Sequence, residues 1–153
     1  MLEIDGNYGE GGGQIVRTAL ALSTLTGTPI RVFDIRKGRS QPGLKKQHLK
    51  SIETLKELCG AETNEIEVGS TELVYKPGKM NVKDLEIDIE TAGSISLYLQ
   101  PLLLPLFFGD DTCTLKIKGG TTGKWAMPVE YFNDIYLPHI KKYAKDMKLK
   151  LSK

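Results

Sequence analysis

The sequence predicts an α/β (α+β) fold built from two tandem βαβαββ units. The tetrapeptide LEID occurs at Leu2–Asp5 and again at Leu85–Asp88, an offset of 83 residues, and similar patterns follow both copies. Short apolar stretches of strand type alternate with longer stretches of helical period. The chain has 153 residues, of which 40% are hydrophobic, so it is long enough to bury a core. We expect residues 1–79 to form the first unit and residues 80–153 the second, each with a four-stranded sheet packed by two helices.

The elements of the first unit follow from hydrophobic period and turn residues. They are a strand at 2–5, a helix at 14–26, a strand at 30–35, a helix at 44–59, and a pair of strands at 62–68 and 71–76. The second unit repeats this order with a strand at 85–90, a helix at 94–108, a strand at 112–118 and a helix at 128–144.

The second unit is expected to be truncated at its C-terminal end. Adding the offset to the first unit's final strand gives a position beyond Lys153. A sheet that lacks its last strand has an unpaired edge, which invites pairing with another chain. We therefore expect either a fragment of a longer protein or an oligomer that pairs through this edge.

Targeting and membrane signals are weak in this sequence. Residues 1–13 lack the basic segment and apolar core of a secretory signal. The longest apolar run, residues 97–108, contains Gln100 and two prolines and is far shorter than the ~20 residues of a membrane span. We expect a cytoplasmic protein with no membrane partner.

Cations concentrate in one segment, although the net charge is only +2. Residues 31–50 contain seven Lys or Arg and a single acid, Asp34. Arg36 and Arg39 lie just before a predicted helix, where guanidinium groups can hold a phosphate in two-point geometry. This arrangement is typical of an anion-binding site.

Helical phase turns a histidine inward in the same segment. At 100° per residue one apolar stripe of the second helix contains Leu44, His48, Ile52, Leu55 and Cys59. Gln47 lies at the border of that stripe. The residues allow two interpretations of His48: a core histidine satisfied by a backbone carbonyl, or an anion-binding group at the positive end of a helix.

The run GEGGGQ, Gly9 to Gln14, precedes the first helix. Consecutive glycines let backbone amides approach an anion, but such a run is more often only a tight strand-to-helix connection, and it is not a Walker loop. Glu10 within it would repel a phosphate unless a divalent cation lay between them. Arg17, one turn into the helix, adds a cation on its polar side.

The helix predicted at 94–108 is apolar almost all round and is expected to be central. Pro101 and Pro105 each remove a helical hydrogen bond. Gln100 is either a structural plug for the freed carbonyls or an amide directed at a ligand, and its spacing alone favours the plug.

Taken in order, these segments resemble the RNA 3′-terminal phosphate cyclases. The resemblance rests on DGNYGEGGGQIVRTALALSTLTG, IRKGRSQPGLKKQHL, CGAE, VGSTELVYKPG, AGSISLYLQPLLLPLFF and GGTTGKWAMPVEYF, and it covers nearly the whole chain. It implies the N-terminal part of an enzyme about twice this length, built from repeated βαβαββ units with a smaller domain inserted later.

The resemblance also implies an activity. Such enzymes are ATP-dependent, ligase-class proteins of RNA processing that use a divalent metal, Mg or Mn, to convert an RNA 3′-phosphate into a 2′,3′-cyclic phosphate. An active-site histidine takes AMP from ATP and passes it to the RNA 3′-phosphate, and the neighbouring 2′-hydroxyl then attacks and releases AMP. ATP and an RNA 3′-phosphate end are therefore the expected partners.

Individual residues match the family's site by resemblance. Glu10 matches the contact to metal and triphosphate, and three arginines match cations of the pocket: Arg17, Arg36 and Arg39. Gln47 and His48 match the polar pair of the PGLxxQH motif. Gln100 matches the glutamine associated with ATP, which reverses the preference for a plug.

The nucleophilic histidine has no match in this chain. By resemblance it belongs to the C-terminal part, whereas His48 fits the QH motif and His139 lies on the last predicted helix, where we expect it to face solvent. We therefore expect that this chain contains no catalytic residue and is inactive by itself. Its expected partner is the missing C-terminal part or a second subunit.

Two other classes of protein are alternatives to a cyclase. A non-catalytic, cyclase-like RNA-binding protein of RNA processing or ribosome biogenesis would keep the fold, but it would have no need for the whole set of site residues. Half of an enolpyruvyl transferase would share the βαβαββ units, but GEGGGQ and PGLKKQH do not resemble the motifs of that family.

Overall fold

The computed structural model describes residues 1–90, 93–124, 126–144 and 146–152. Its elements alternate in the predicted order, and the fold class is α/β as the sequence predicts. The elements up to the second sheet are β1 (Leu2–Asp5), α1 (Gly13–Thr26), β2 (Ile30–Phe33), α2 (Lys46–Cys59), β3 (Glu62–Thr63), β4 (Leu73–Lys76), β5 (Leu85–Asp88), α3 (Ile95–Phe107) and β6 (Leu115–Lys118).

Four strands form the first sheet in the order β1-β2-β4-β3. β1 and β2 are parallel, joined by α1, while β4 is antiparallel to both of its neighbours. The parallel pair brings the carboxyl ends of β1 and β2 to one edge, so the loops that follow them lie side by side. Those two loops carry the glycine run and the arginines.

The second sheet repeats the parallel pair with β5 and β6, its only strands in the described part of the chain. Leu2 pairs with Ile30, 28 residues on, whereas Leu85 pairs with Leu115, 30 residues on. Equivalent residues of β2 and β6 are therefore 85 positions apart, whereas those of β1 and β5 are 83 apart. The sequence leads us to expect that only the last strand is missing, but the second sheet has two strands rather than three in the described part of the chain.

A single hydrophobic core joins the two units. Helices α1 and α3, which occupy equivalent places in the repeats, pack against each other, and α2 also packs on α3. Two fully buried tyrosines anchor this core through their hydroxyl groups: Tyr75 lies 2.7 Å from the hydroxyl of Thr24, and Tyr98 lies 2.7 Å from that of Thr54. The apolar α3 is central, as its composition predicts.

Several predicted bounds were too long, and the backbone explains two of them. The strand predicted at 30–35 ends at Phe33, because Asp34 adopts a left-handed conformation with φ of 50°. The strand predicted at 62–68 ends at Thr63, and a turn at Gly69, with φ of 95°, follows before β4.

The segment predicted as one helix at 128–144 is helical over residues 129–143, but it is not a regular α-helix throughout. This segment consists of α4 (Val129–Tyr131), a π-helical turn (Phe132–Tyr136), α5 (Leu137–Ile140) and a 3₁₀ turn (Lys141–Tyr143). Pro138 has no N–H to bond the carbonyl one turn earlier, so the regular ladder cannot continue through it. His139 on α5 is exposed, as expected.

No helix in the described ranges combines the length and the apolar character needed to cross a bilayer.

Candidate functional site

Asn7 joins the two loops that follow β1 and β2. Its backbone N–H donates to Asp5 Oδ1 at 2.8 Å, and its own Oδ1 accepts from the N–H of Gly38 at 2.7 Å. A Cβ at Gly11 would lie 2.7 Å from the same Oδ1, so only glycine fits there without displacing Asn7. The sequence analysis missed this residue, although Asp and Asn directly after a strand are typical of a side-chain-capped turn.

Gly13 brings the glycine run against the imidazole of His48. A Cβ placed on Gly13 would lie 2.5 Å from His48 Nε2 and 3.0 Å from Arg17 Nη1. The nearest heavy atom to a Cβ on Gly12 is Arg39 Nη2, at 3.8 Å. The glycine run is thus the surface on which His48, Arg17 and Arg39 converge.

The imidazole of His48 is buried, with one nitrogen satisfied and one not. Its Nδ1 accepts from the backbone N–H of Lys45 at 3.0 Å, as the third residue of a helix does in a capping box. Its Nε2 has no hydrogen-bond partner among the residues that the structure describes. Because Nδ1 accepts, the proton of the neutral ring is on Nε2, so a buried N–H donor points toward Gly13 with nothing to receive it.

The ring is also held in its neutral form. Burial, followed by the charges of Arg17, Arg36 and Lys45, lowers the pKa of His48 from 6.5 to about 4. Of the two earlier interpretations of His48, the satisfied core histidine fits less well. A core histidine would have its second nitrogen satisfied by a carbonyl, and here that nitrogen is free.

The three predicted arginines form what we call the cationic cluster: Arg17, Arg36 and Arg39. Burial and the neighbouring Arg36 hold the pKa of Arg17 below its usual value, and burial and Arg39 do the same to Arg36. Among the described residues, no carboxylate lies within ion-pair distance of Arg17 or Arg36. Their positive charges are left to repel one another.

Arg36 owes its position to an unusual backbone. Its φ is 55°, in the left-handed region that residues other than glycine seldom adopt. The buried Ile35 beside it anchors the loop in the core. This backbone conformation turns Arg36 back toward the loop between β1 and α1, which we call the glycine loop. There its backbone N–H donates to the carbonyl of Gly6 at 3.2 Å.

Glu10 and Arg39 lie at the rim of the cluster. Arg39 Nη2 is 3.3 Å from Glu10 Oε2, and the two side chains are 42% and 92% exposed. Within the described ranges, no three His, Cys, Asp or Glu side chains gather to hold a metal ion. Glu10 alone could offer a carboxylate to a cation whose other ligands came from phosphate oxygens and water.

Gln100 joins the cluster from α3. Its Oε1 accepts from Arg17 Nε at 2.6 Å, so its side-chain carbonyl is directed at α1 rather than serving as a plug within its own helix. Gln47 has no side-chain hydrogen bond to the cluster. It lines a neighbouring open hollow of about 360 Å³ with Gln41, Lys45 and Lys46.

The structure thus brings six of the seven predicted site residues around one glycine loop, with Gln47 to one side. Their roles as ligand contacts remain predictions.

The comparisons with known proteins agree with the family resemblance. A family model described as RNA 3′-terminal phosphate cyclase matches residues 8–153. A relative named RNA 3′-terminal phosphate cyclase, from Archaeoglobus fulgidus, is 46% identical over 153 residues, which is all of this chain and 47% of the relative. A relative of the same name from Desulfurococcus amylolyticus is 51% identical over 140 residues, which is 92% of this chain and 39% of the relative. Another, from Methanopyrus kandleri, is 48% identical over 131 residues, which is 86% of this chain and 37% of the relative.

This chain spans less than half the length of these three relatives. The range matched by the family model nevertheless covers almost the whole chain, and the glycine run, the arginines and the QH pair lie within it. On this basis the chain belongs to the RNA 3′-terminal phosphate cyclase family.

Proposed function

We propose that this chain supplies the phosphate-binding half of an RNA 3′-terminal phosphate cyclase. The complete enzyme would use ATP and a divalent metal to convert an RNA 3′-phosphate into a 2′,3′-cyclic phosphate. The remaining half of the polypeptide, or a second subunit, would complete the site.

One observation carries the proposal: a buried N–H donor on His48 faces Gly13, beside two arginines, Arg17 and Arg36, that no carboxylate in the described ranges neutralises. A buried donor without an acceptor costs roughly 1 to 3 kcal/mol, and close like charges add to that cost. A phosphate group at this position would remove both penalties. Donors fixed in advance around such a group are what phosphoryl transfer requires.

His48 is suited to binding a phosphate rather than to attacking one. The Nδ1 lone pair is committed to the backbone N–H of Lys45, and Nε2 carries the proton. Since the pKa of His48 is lowered to about 4, the ring is a neutral donor near pH 7. This supports a nucleophilic histidine outside the present chain, because exposed His139 lies on α5, which packs mainly against the helical turns that flank it rather than on α1 or α2.

The divalent metal would be bound at the rim of the cluster. Among the described residues, Glu10 is the one carboxylate within ion-pair distance of the cationic cluster, and Mg²⁺ commonly takes one or two protein carboxylates with substrate phosphate oxygens and water. Bound there, the metal would neutralise charge on the triphosphate, while Arg17, Arg36 and His48 would orient the phosphate groups.

The test separates binding from chemistry. We expect the 153-residue chain to bind ATP or inorganic triphosphate in calorimetry, and to stay unlabelled when incubated with ATP carrying a radioactive α-phosphate. Label should appear only when the C-terminal half is present. Labelling of this chain alone would contradict the assignment of the nucleophile, and tight RNA binding by the reconstituted protein without any labelling would favour a non-catalytic RNA-binding function.

A further inference from the structure

The glycine loop and the loop between β2 and α2, which we call the arginine loop, run side by side beyond the two strands. Two backbone hydrogen bonds continue the strand pairing for one residue. The N–H of Gly6 donates to the carbonyl of Phe33 at 2.7 Å, and the N–H of Arg36 donates to the carbonyl of Gly6 at 3.2 Å. Between residues 7–12 and 37–45, all of which the structure describes, no backbone hydrogen bond joins the loops. Side chains must hold the loops together there.

In this described region two side-chain hydrogen bonds join the loops, and Asn7 makes the neutral one. Its Oδ1 accepts from the N–H of Gly38 at 2.7 Å, while its own N–H is bound to Asp5 Oδ1 at 2.8 Å. A Cβ on Gly38 would lie 3.2 Å from the same Oδ1, so the loops are in close contact at this point. The other bond is the exposed ion pair of Arg39 and Glu10, at 3.3 Å.

The ion pair is poorly suited to keeping the loops at a fixed distance. In the proposed function Glu10 turns to the metal and Arg39 to a phosphate, so each partner is drawn to another charge. An exposed pair of this kind also contributes little to stability and is screened by salt. The bond from Gly38 to Asn7 joins two neutral groups that already satisfy each other, so it can persist while an anion binds.

The place of this bond in the arginine loop connects it to Arg39. Gly38 lies directly before Arg39, within a turn that the N–H of Arg39 closes on the carbonyl of Arg36 at 3.0 Å. Arg36 has anchors of its own in the bond to Gly6 and in the buried Ile35 beside it. Arg39 has no backbone hydrogen bond to the described glycine loop, so its position depends on how firmly Gly38 is held.

We propose that Asn7 is a positioning residue that holds the turn carrying Arg39 at the distance from the glycine loop at which one triphosphate contacts both. This inference rests on the proposed function. Asn7 Oδ1 is a hydrogen-bond acceptor, so it serves the N–H of Gly38 and not an anion. Asn7 therefore contributes to binding through Arg39, because a cation that is already in place loses less conformational freedom when the ligand arrives.

Calorimetry of the 153-residue chain with inorganic triphosphate tests this inference. Ordering one long side chain is worth about 3- to 10-fold in affinity, so Asn7→Ala should weaken binding by that factor. Asn64→Ala is the matched control, because Asn64 Oδ1 also accepts from a backbone N–H, that of Val74 at 2.8 Å, at the opposite edge of the sheet. Both variants lose one bond of the same kind and should lose similar amounts of melting temperature. If the two variants bind triphosphate equally well, the inference is wrong.

A double-mutant cycle distinguishes the positioning of Arg39 from a direct contact of Asn7 with the ligand. In an Arg39→Ala background the residue that Asn7 positions is absent, so Asn7→Ala should weaken triphosphate binding by less than twofold. A loss of twofold or more in that background would mean that Asn7 acts on the ligand by another route, and the inference would be overturned.

Hydrogen exchange of the Gly38 amide, followed by NMR, reports on the bond itself. The amide should be protected in the unliganded chain, Asn7→Ala should abolish this protection, and Asn7→Asp, which keeps the Oδ1 acceptor, should restore it. An unprotected Gly38 amide in the parent chain would refute the inference by itself. If the parent chain binds no triphosphate, the proposed function fails and the inference fails with it. If the parent chain binds triphosphate and Asn7→Ala binds it equally tightly, only the inference fails.

Discussion

Gly13→Ala is the sharpest test of the site geometry, because it adds one methyl group at the point where the side chains of His48 and Arg17 meet the glycine run. The new Cβ would lie 2.5 Å from His48 Nε2, 2.9 Å from His48 Cε1 and 3.0 Å from Arg17 Nη1. Carbon and nitrogen atoms that are not bonded do not approach this closely. Either the imidazole or the first turn of α1 must therefore move.

The imidazole has little freedom to move. His48 is only 2% exposed, and its Nδ1 is bound to the backbone of Lys45 at the start of α2. Overpacking of a buried site costs about 1 to 3 kcal/mol. The gain in helix propensity from Gly to Ala is at most about 1 kcal/mol in a helix interior and smaller in the first turn. We expect the free energy of unfolding to fall by about 1 to 3 kcal/mol, which lowers the melting temperature by roughly 2 to 12 °C.

Gly12→Ala is the matched control. The nearest atoms to its Cβ would be Arg39 Nη2 at 3.8 Å and the backbone nitrogen of Gln14 at 3.9 Å, and its φ of −77° suits any residue. Alanine is a poorer N-cap than glycine, which costs at most about 1 kcal/mol. Thermal unfolding compares the two variants, and NMR follows the ring signals of His48. If Gly13→Ala is as stable as Gly12→Ala and leaves those signals unshifted, the close approach of Gly13 and His48 is refuted.

Three further predictions concern His48, Arg39 and Glu10. The pKa of His48 is about 4 in the folded chain and near 6.5 in the unfolded chain. As the pH falls, the unfolded state therefore takes up a proton first, and the free energy of unfolding decreases between pH 6.5 and pH 4. At about pH 5 this decrease is roughly 2 kcal/mol. Urea unfolding of His48→Gln, which keeps an acceptor for Lys45, should lack this loss, and equal pH dependence in both chains would contradict it. Arg39→Ala breaks only an exposed ion pair worth about 0 to 1 kcal/mol, so the melting temperature should hardly change. The affinity for triphosphate, measured by calorimetry, should fall about tenfold or more. A folded variant with full affinity would remove Arg39 from the site. Glu10→Gln should reduce the gain in triphosphate affinity that Mg²⁺ provides, measured against the same titration in EDTA, and an undiminished gain would exclude Glu10 as the metal contact.

Features set by local pattern were predictable from the sequence. The LEID repeat located both β1 and β5, and the phase of α2 turned His48 inward, since each depends on residues close together in the chain. The ends of elements were less predictable. The left-handed conformation of Asp34 and the π-helical turn before Pro138 depend on loop contacts and on packing that hydrophobic period does not record.

The contacts of the candidate site needed the tertiary structure. Spacing favoured Gln100 as a plug within α3, yet its side chain reaches Arg17 on α1. The offset of 83 residues was visible in the sequence and relates these two positions. It could not show that the equivalent helices pack against each other, and therefore that equivalent residues touch.

Within the candidate site, charge compensation follows depth. At the exposed rim Arg39 has a carboxylate partner, Glu10, whereas the half-buried Arg17 has only amide acceptors and the half-buried Arg36 has no carboxylate within ion-pair distance among the described residues. Burial strengthens electrostatic interactions, so cations cost most where this chain compensates them least. A fold selected for stability alone would reverse that order. The arrangement is reasonable if a multiply charged anion completes the site, because its binding then contributes directly to the stability of the folded chain.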